Sequence, residues 1–298
     1  MTRSRATLIG FSAVLMWALL ALLTIGTAPV PPLQLNAMCF GIGGAIGLIW
    51  TWRGAGFDVL RGVRWRVYGF GAAGLFGAHF LYFTAFRLAP LAETGLIAYL
   101  WPILIVLLSG LLPGERLQRL HVIGALVAFA GAAVIVLRGG LATNPAALPG
   151  FAVALVFALT WAAYSVLSRR LGRVPTEAVT VYCLAAALAS LLAHLALEPT
   201  LWPVGAWGWA SVAGLGVGPV GIAFFTWDIG MKRGDIQMLG VASYAAPLLS
   251  TLALLLAGRA EATPMLLLAA VLITSGAALA ARASLRQFRR FAGAKSLP

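Results

Sequence analysis

The sequence predicts an all-α membrane protein: ten transmembrane helices as two inverted five-helix repeats, with N- and C-termini cytoplasmic. Three observations lead there. The chain is 61% hydrophobic and only 10% charged, whereas soluble domains carry about 25% charged residues. Apolar stretches of roughly the 20 residues needed to cross a bilayer recur along its whole length. Features of the first half also return in the second at a fixed offset, so that Tyr99, Pro102 and Gly95 map to Tyr244, Pro247 and Gly240.

The spans fall near 7–26, 33–52, 67–87, 91–112, 120–138, 150–170, 178–197, 208–230, 238–258 and 264–284. The first follows Arg3 and Arg5 like a signal sequence. It is longer than a signal h-region and has a counterpart in the sixth span, so it reads as a membrane helix. With the N-terminus inside, 18 of the 21 lysines and arginines fall on the cytoplasmic side. Arg87, Arg138 and Arg259 fall outside, a bias in the direction that sets topology. The net charge of +13 is therefore spread through short clusters between spans, which excludes a nucleic-acid surface.

The second span carries Gly43 and Gly47, and the third Gly71, Gly74 and Gly77; with Gly214 and Gly218 of the eighth, these are expected to let helices approach closely. The third span also places His79, Tyr82, Phe83 and Phe86 at i, i+3, i+4 and i+7, one helix face that should turn inward. An ionisable residue inside a membrane is a functional candidate because charge there is costly. His79 could bind a substrate carboxylate or carry a proton, and it could equally be a neutral, structurally bonded imidazole. His121 and His194 lie near span ends and are expected at the interface.

In the fourth span, Tyr99 and Trp101 stand beside Pro102. A mid-helix proline removes one backbone bond and frees the carbonyl four residues back. That carbonyl is Ala98 here and Ser243 for Pro247. Such prolines shape kinks that a gate can use. The segment 138–150 is the Gly/Pro-rich linker at mid-chain. The first repeat is therefore drawn at 1–138, the linker at 139–149, the second repeat at 150–290 and a cytoplasmic tail at 291–298.

Trp17, Trp101 and Trp161 lie near mid-span, where no interfacial belt explains them. Tyr164, Ser243 and Tyr244 are further candidates. Trp50, Trp52, Trp65, Trp202, Trp207 and Trp209 lie at span ends and read as the belt; Trp227, close to the inner end, reads likewise. Asp228 can pair with Lys232 at i+4, and Glu93 suits the start of a helix. Neither is a convincing buried acid. Cys39 and Cys183 sit inside apolar spans as small hydrophobes. No CxxC, HExxH, G-x-S-x-G, phosphate-loop or dinucleotide pattern occurs, so no metal, cofactor or enzymatic activity is expected.

Two five-span halves, Trp17 early in the first span, Pro102 and Pro247 in mid-helix and Gly114-Glu115 closing the fourth span resemble the drug/metabolite transporter superfamily. The likeness covers about residues 7–284 and is to its ten-helix EamA-type branch. His79 with Tyr82, and Tyr-Leu-Trp-Pro at 99–102, are similar to the bacterial aromatic amino acid exporters of that branch. The second half departs from the pattern at Gly258-Arg259-Ala260-Glu261, where the glutamate comes one place late.

The resemblance implies a multi-pass inner-membrane carrier exporting aromatic or other apolar amino acids by alternating access. Its central cavity would be lined by His79, Tyr82, Tyr99, Trp101, Trp17, Trp161, Tyr164, Ser243 and Tyr244, with Pro102 and Pro247 at the gates. The expected partners are a small-molecule substrate and the lipid bilayer, with no nucleic acid and no cofactor. A broader exporter of purines or drugs, a passive channel and a membrane-embedded enzyme are the alternatives.

Overall fold

The computed structural model describes residues 1–137, 145–258 and 263–294. Linker residues 138–144, the stretch from Arg259 past Glu261 and tail residues 295–298 lie outside these. All regular structure among the described residues is helical. Eight helices are long and apolar enough to cross a membrane, and Glu93–Ser109 and Arg119–Val134 form two shorter apolar ones. Large apolar side chains face outward along them, such as Leu8 (71% exposed), Leu195 (66%) and Leu267 (72%). Only a lipid solvent makes that surface stable. The chain is a multi-pass membrane protein.

The order is α1 (Arg3–Ala18), α2 (Leu20–Gly26), α3 (Pro32–Arg53), the short α4 (Asp58–Arg61), α5 (Trp65–Leu88), α6 (Leu91–Ala98), α7 (Trp101–Ser109) and α8 (Arg119–Val136). Then follow α9 (Leu148–Arg170), α10 (Ala178–Leu197), α11 (Gly205–Val217), a π-helical turn (Gly218–Ile222), α12 (Ala223–Arg233), α13 (Ile236–Ala242), α14 (Ala245–Leu256) and α15 (Pro264–Ala294). The boundaries have local causes. The Thr2 hydroxyl caps α1 by accepting from the Arg5 amide at 3.3 Å, and Asp235 caps α13 through the Met238 amide at 2.9 Å. α5 ends where Ala89 turns extended ahead of Pro90. Pro219 lies inside the π turn, which widens the helix at a residue that cannot donate.

Both expected proline sites are full interruptions. Between α6 and α7 the Leu100 amide bonds Ile97 O at 3.1 Å, and between α13 and α14 the Tyr244 amide bonds Val241 O at 3.1 Å. The Ser243 carbonyl is not free, contrary to expectation: the Ala246 amide reaches it at 3.0 Å. Tightening to i→i+3 bonds satisfies the acceptor that Pro247 leaves behind.

α8 lies along α15, α3 along α10, α5 along α9 and α1 along α12. Each pair joins an element before residue 138 to one after residue 144, so the two parts of the chain pack against each other along these seams. Some of these seams are glycine on glycine. A Cβ at Gly10 would stand 2.8 Å from the Gly230 Cα, and one at Gly124 2.6 Å from the Gly276 carbonyl oxygen. By contrast Gly77 and Gly218 have nothing within 4 Å of an added Cβ, so the close approach expected there is absent. The six belt tryptophans are 42–74% exposed, as their places at helix ends require.

Polar clasps close the bundle at its two ends. At one, Arg169 bonds Glu115, and donates to the Met231 and Gly234 carbonyls at 2.9 Å each. These are carbonyls that the end of α12 leaves unpaired. Arg3 reaches Glu115 at 3.2 Å and Asp235 at 3.5 Å. His121 is buried beside this end, closing a capping box with Gln118 and facing the Ser284 hydroxyl at 3.3 Å.

At the other end Glu198 accepts from the Leu33 amide at 3.0 Å, the Gln34 amide at 3.2 Å and Arg87. His194 meets the same carboxylate at 3.1 Å and Thr200 at 3.0 Å. Both histidines are thus buried and bonded close to helix ends. Burial would raise the Glu198 carboxyl, but bonds from His194, Leu33, Arg87 and Gln34 outweigh it and hold the group below its ordinary value. Its stabilising contribution is therefore present above the unfolded-state value and is lost as pH falls through the lower folded value. Thermal unfolding in detergent over an acid pH series should show this loss, and Glu198→Gln should remove that part of the pH dependence.

Candidate substrate site

Four indoles converge where α1, α7, α9 and α12 meet. Trp17 ends α1 and Trp101 begins α7; Trp161 is central in α9 and Trp227 in α12. All their pairings have ring centroids 5.0–6.5 Å apart. Most are edge-on or tilted, as the ring quadrupoles favour. The two N–H groups with partners fix the rings: Trp17 Nε1 donates to Pro219 O at 3.0 Å and Trp227 Nε1 to Ser165 Oγ at 3.1 Å. The first bond uses a carbonyl of the π turn, so that irregularity is tied directly to the cluster.

Phe224, one turn before Trp227, extends the cluster. It lies 6.3 Å from Trp17, 5.8 Å from Trp161 and 5.4 Å from Phe40, on which it stacks. His79 sits against this pair, 5.0 Å from Phe40 and 5.6 Å from Phe224. Its Nδ1 is 2.8 Å from Leu75 O. A carbonyl can only accept, so Nδ1 carries the proton and donates. Tyr164 stacks between Trp161 at 5.3 Å and Phe70 at 5.4 Å. Its ring fills the space above Gly74, beside a groove of about 320 Å³ lined by Phe70, Ala73, Gly74, Thr160, Ala163 and Tyr164.

The remaining expected residues separate. Tyr82 is 37% exposed and packs on Phe86 and Phe157 at 4.5 and 5.2 Å, so the His79 face does not turn inward as a whole. Tyr99 is half-buried at the α6–α7 interruption, within electrostatic range of Tyr82. Tyr244 belongs to a second core with Ile103, Val106 and Phe129, and Ser243 directly precedes it. There the Ser243 hydroxyl donates to Leu239 O at 2.8 Å and the Tyr244 hydroxyl accepts from the Ile103 amide at 3.2 Å. That bond links the two interrupted helices directly, since Ile103 follows Pro102 and Tyr244 precedes Pro247. Both prolines are buried.

Two expectations are corrected. Trp227 is 1% exposed, a centre of the cluster and not part of the belt. Asp228 is a buried acid: Lys232 Nζ lies 2.8 Å from its Oδ2, with side chains 2% and 3% exposed. The signal for both was present. Adding 145 to 79, 82, 83 and 86 gives Phe224, Trp227, Asp228 and Met231, the same spacing on α12, and all four are buried.

Comparison with known proteins follows this geometry. The profile of the EamA-like transporter family matches residues 4–137 and again 148–282. The chain is 55% identical over 283 residues to a protein named aromatic amino acid exporter YddG from Ancylobacter novellus, covering 94% of this chain and 98% of that one. A protein of the same name from Salmonella typhimurium is 28% identical, over 84% of this chain and 88% of its own. A solved crystal structure 54% identical to this chain superposes with a TM-score of 0.90, covering 94% of this chain and 98% of that one. With two thirds of its length and more accounted for in this way, the chain belongs to the EamA-like transporter family.

Proposed function

We propose that this chain is an inner-membrane exporter of aromatic and other apolar amino acids. The observation that carries the reading is the four-indole cluster at the meeting point of α1, α7, α9 and α12. An aromatic side chain entering there exchanges one set of edge-on ring contacts for another, so its desolvation is matched by contacts of equal kind. Ring faces also favour a nearby ammonium. His79 lies against Phe224 at the edge of the cluster and supplies a polar group there, while Tyr82 and Tyr99, which stand apart from the indoles, meet the substrate on its way in. The exporter names of relatives at 55% and 28% identity support the same reading.

In this reading the eight long helices and the two shorter ones make ten spans, with both termini cytoplasmic. Residues 1–138 and 150–290 are inverted five-helix repeats, joined by 139–149 and followed by the tail 291–298. The twofold match of the family profile and the two like interruptions at 99–100 and 243–244 support this arrangement. Alternating access then consists of parting the indoles toward one side while a clasp at the other end holds, with the Pro102 and Pro247 interruptions as pivots and the site forming between the halves.

Proteoliposomes loaded with labelled phenylalanine test it. Saturable efflux is expected, with competition by aromatic over charged amino acids and over purines. Trp161→Ala should raise the KM for phenylalanine about tenfold, the equivalent of one or two aromatic contacts, and change that for leucine less. Competition by purines above amino acids would favour the broader metabolite exporter, and non-saturating flux a channel.

A further inference from the structure

The ion pair Asp228–Lys232 is enclosed, and what encloses it has an unusual chemical form. The α9–α10 connection, residues 171–177, folds over the pair. Its Thr176 hydroxyl donates to Asp228 Oδ2 at 2.9 Å. Its Val174 carbonyl accepts from Lys232 Nζ at 3.0 Å. One short segment thus offers a donor to the carboxylate and an acceptor to the ammonium. The α-ammonium and α-carboxylate of a zwitterionic amino acid offer the same two functions.

The surroundings contain more polar capacity than the fold uses. The Tyr182 hydroxyl, on the first turns of α10, is buried without a hydrogen-bond partner although the ring is only 2% exposed. It lies within electrostatic range of Asp228, as does Tyr164. A buried hydroxyl without a partner is costly, and such exceptions call for a ligand or water. Trp227, a member of the indole cluster, immediately precedes Asp228 in α12.

We propose that Asp228 and Lys232 form the head-group station for zwitterionic α-amino acids, with the 171–177 segment standing in for substrate when the station is empty. Asp228 takes the substrate ammonium and Lys232 the carboxylate, while Thr176 and Val174 withdraw. Tyr182 supplies a further hydrogen bond to the carboxylate. The side chain is directed past Trp227 into the cluster. The exchange is charge-neutral: a neutral internal pair is replaced by two pairs with a neutral substrate, and no uncompensated charge is buried. A lone amine or a lone acid leaves one member of the pair unmatched, so the station rejects both. This inference rests on the amino acid exporter reading and adds to it how the substrate's polar end is recognised.

The test is efflux from proteoliposomes of three probes with the same ring: L-phenylalanine, phenethylamine and 3-phenylpropionate. The native protein is expected to prefer phenylalanine over each analogue. Lys232→Met should erode the preference over phenethylamine, and Asp228→Asn that over 3-phenylpropionate, each about tenfold or more. Because either single change leaves a buried charge, the double variant Asp228→Asn/Lys232→Met provides a neutral, folded control in which both preferences should fall. A double variant that keeps both preferences at the native ratios would overturn the station, leaving the pair purely structural and the exporter reading intact. A native protein that moves no phenylalanine would remove the exporter reading and the station together.

Discussion

Lys232→Met is expected to destabilise the protein by about 3–5 kcal/mol, the range seen when one member of a buried ion pair is removed. The cause is the environment of the partner. Asp228 is 2% exposed at its side chain and would keep the Thr176 hydroxyl as its hydrogen-bond partner, with Arg233 the charge left to oppose its own. The Val174 carbonyl would also lose its donor. Asp228→Asn/Lys232→Met should recover most of the loss, because an uncharged pair in that space carries no desolvation penalty of the same order. Thermal unfolding in detergent, followed by loss of the monodisperse peak, separates the two. If the single and double variants melt alike, the pair's charge is not what the surrounding structure compensates.

Trp17→Ala should cost a similar amount, about 3–5 kcal/mol, as for large aromatic-to-alanine changes in packed cores. Trp17 touches Trp101, Trp161, Phe224 and Trp227 at once, so truncation opens space that four rings on three other helices must fill. It also leaves the Pro219 carbonyl without its donor, inside a turn whose own backbone bonding is already irregular. Trp17→Phe separates the effects: most of the volume stays and the N–H goes, which should cost about 1–3 kcal/mol. Equal melting of the phenylalanine and alanine variants would mean that the Pro219 bond, and not ring packing, anchors α1.

Helical class, membrane residence and most of the element order were legible from hydropathy and charge alone, because lipid forces backbone bonding to be satisfied within each span. The proline interruptions were legible as positions but not as conformations. Whether a freed carbonyl stays open depends on whether the chain tightens, and at Ser243 it does. Trp17, Trp101 and Trp161 stood out because mid-span indoles have no reason to be there except packing or binding. Trp227 failed the same reading for a geometric reason. Its distance along the chain from Lys232 and Arg233 suggested the interface, while the face of α12 it occupies, shared with Phe224 and Asp228, points into the bundle. Ser243 and Tyr244 show the converse: Tyr244 is the counterpart of Tyr99 and Ser243 that of Ala98, yet their hydroxyls are used in bonds to Leu239 and Ile103. Glu198 carries no signal in linear sequence, since nothing there reveals that the start of α3, the end of α5 and the end of α10 converge on it.

The indole cluster has a consequence for optics as well as for binding. Four indoles at centroid separations of 5.0–6.5 Å are close enough for their electronic transitions to couple and for excitation to pass among them. The coupling depends on mutual angle and separation, so it belongs to this arrangement of the four rings and fades when any one of them swings away. The six belt indoles contribute a separate background, in which Trp202 and Trp209 form a stacked pair of their own at 6.1 Å. The protein therefore carries an intrinsic chiroptical reporter of that ring arrangement, one that needs no attached dye.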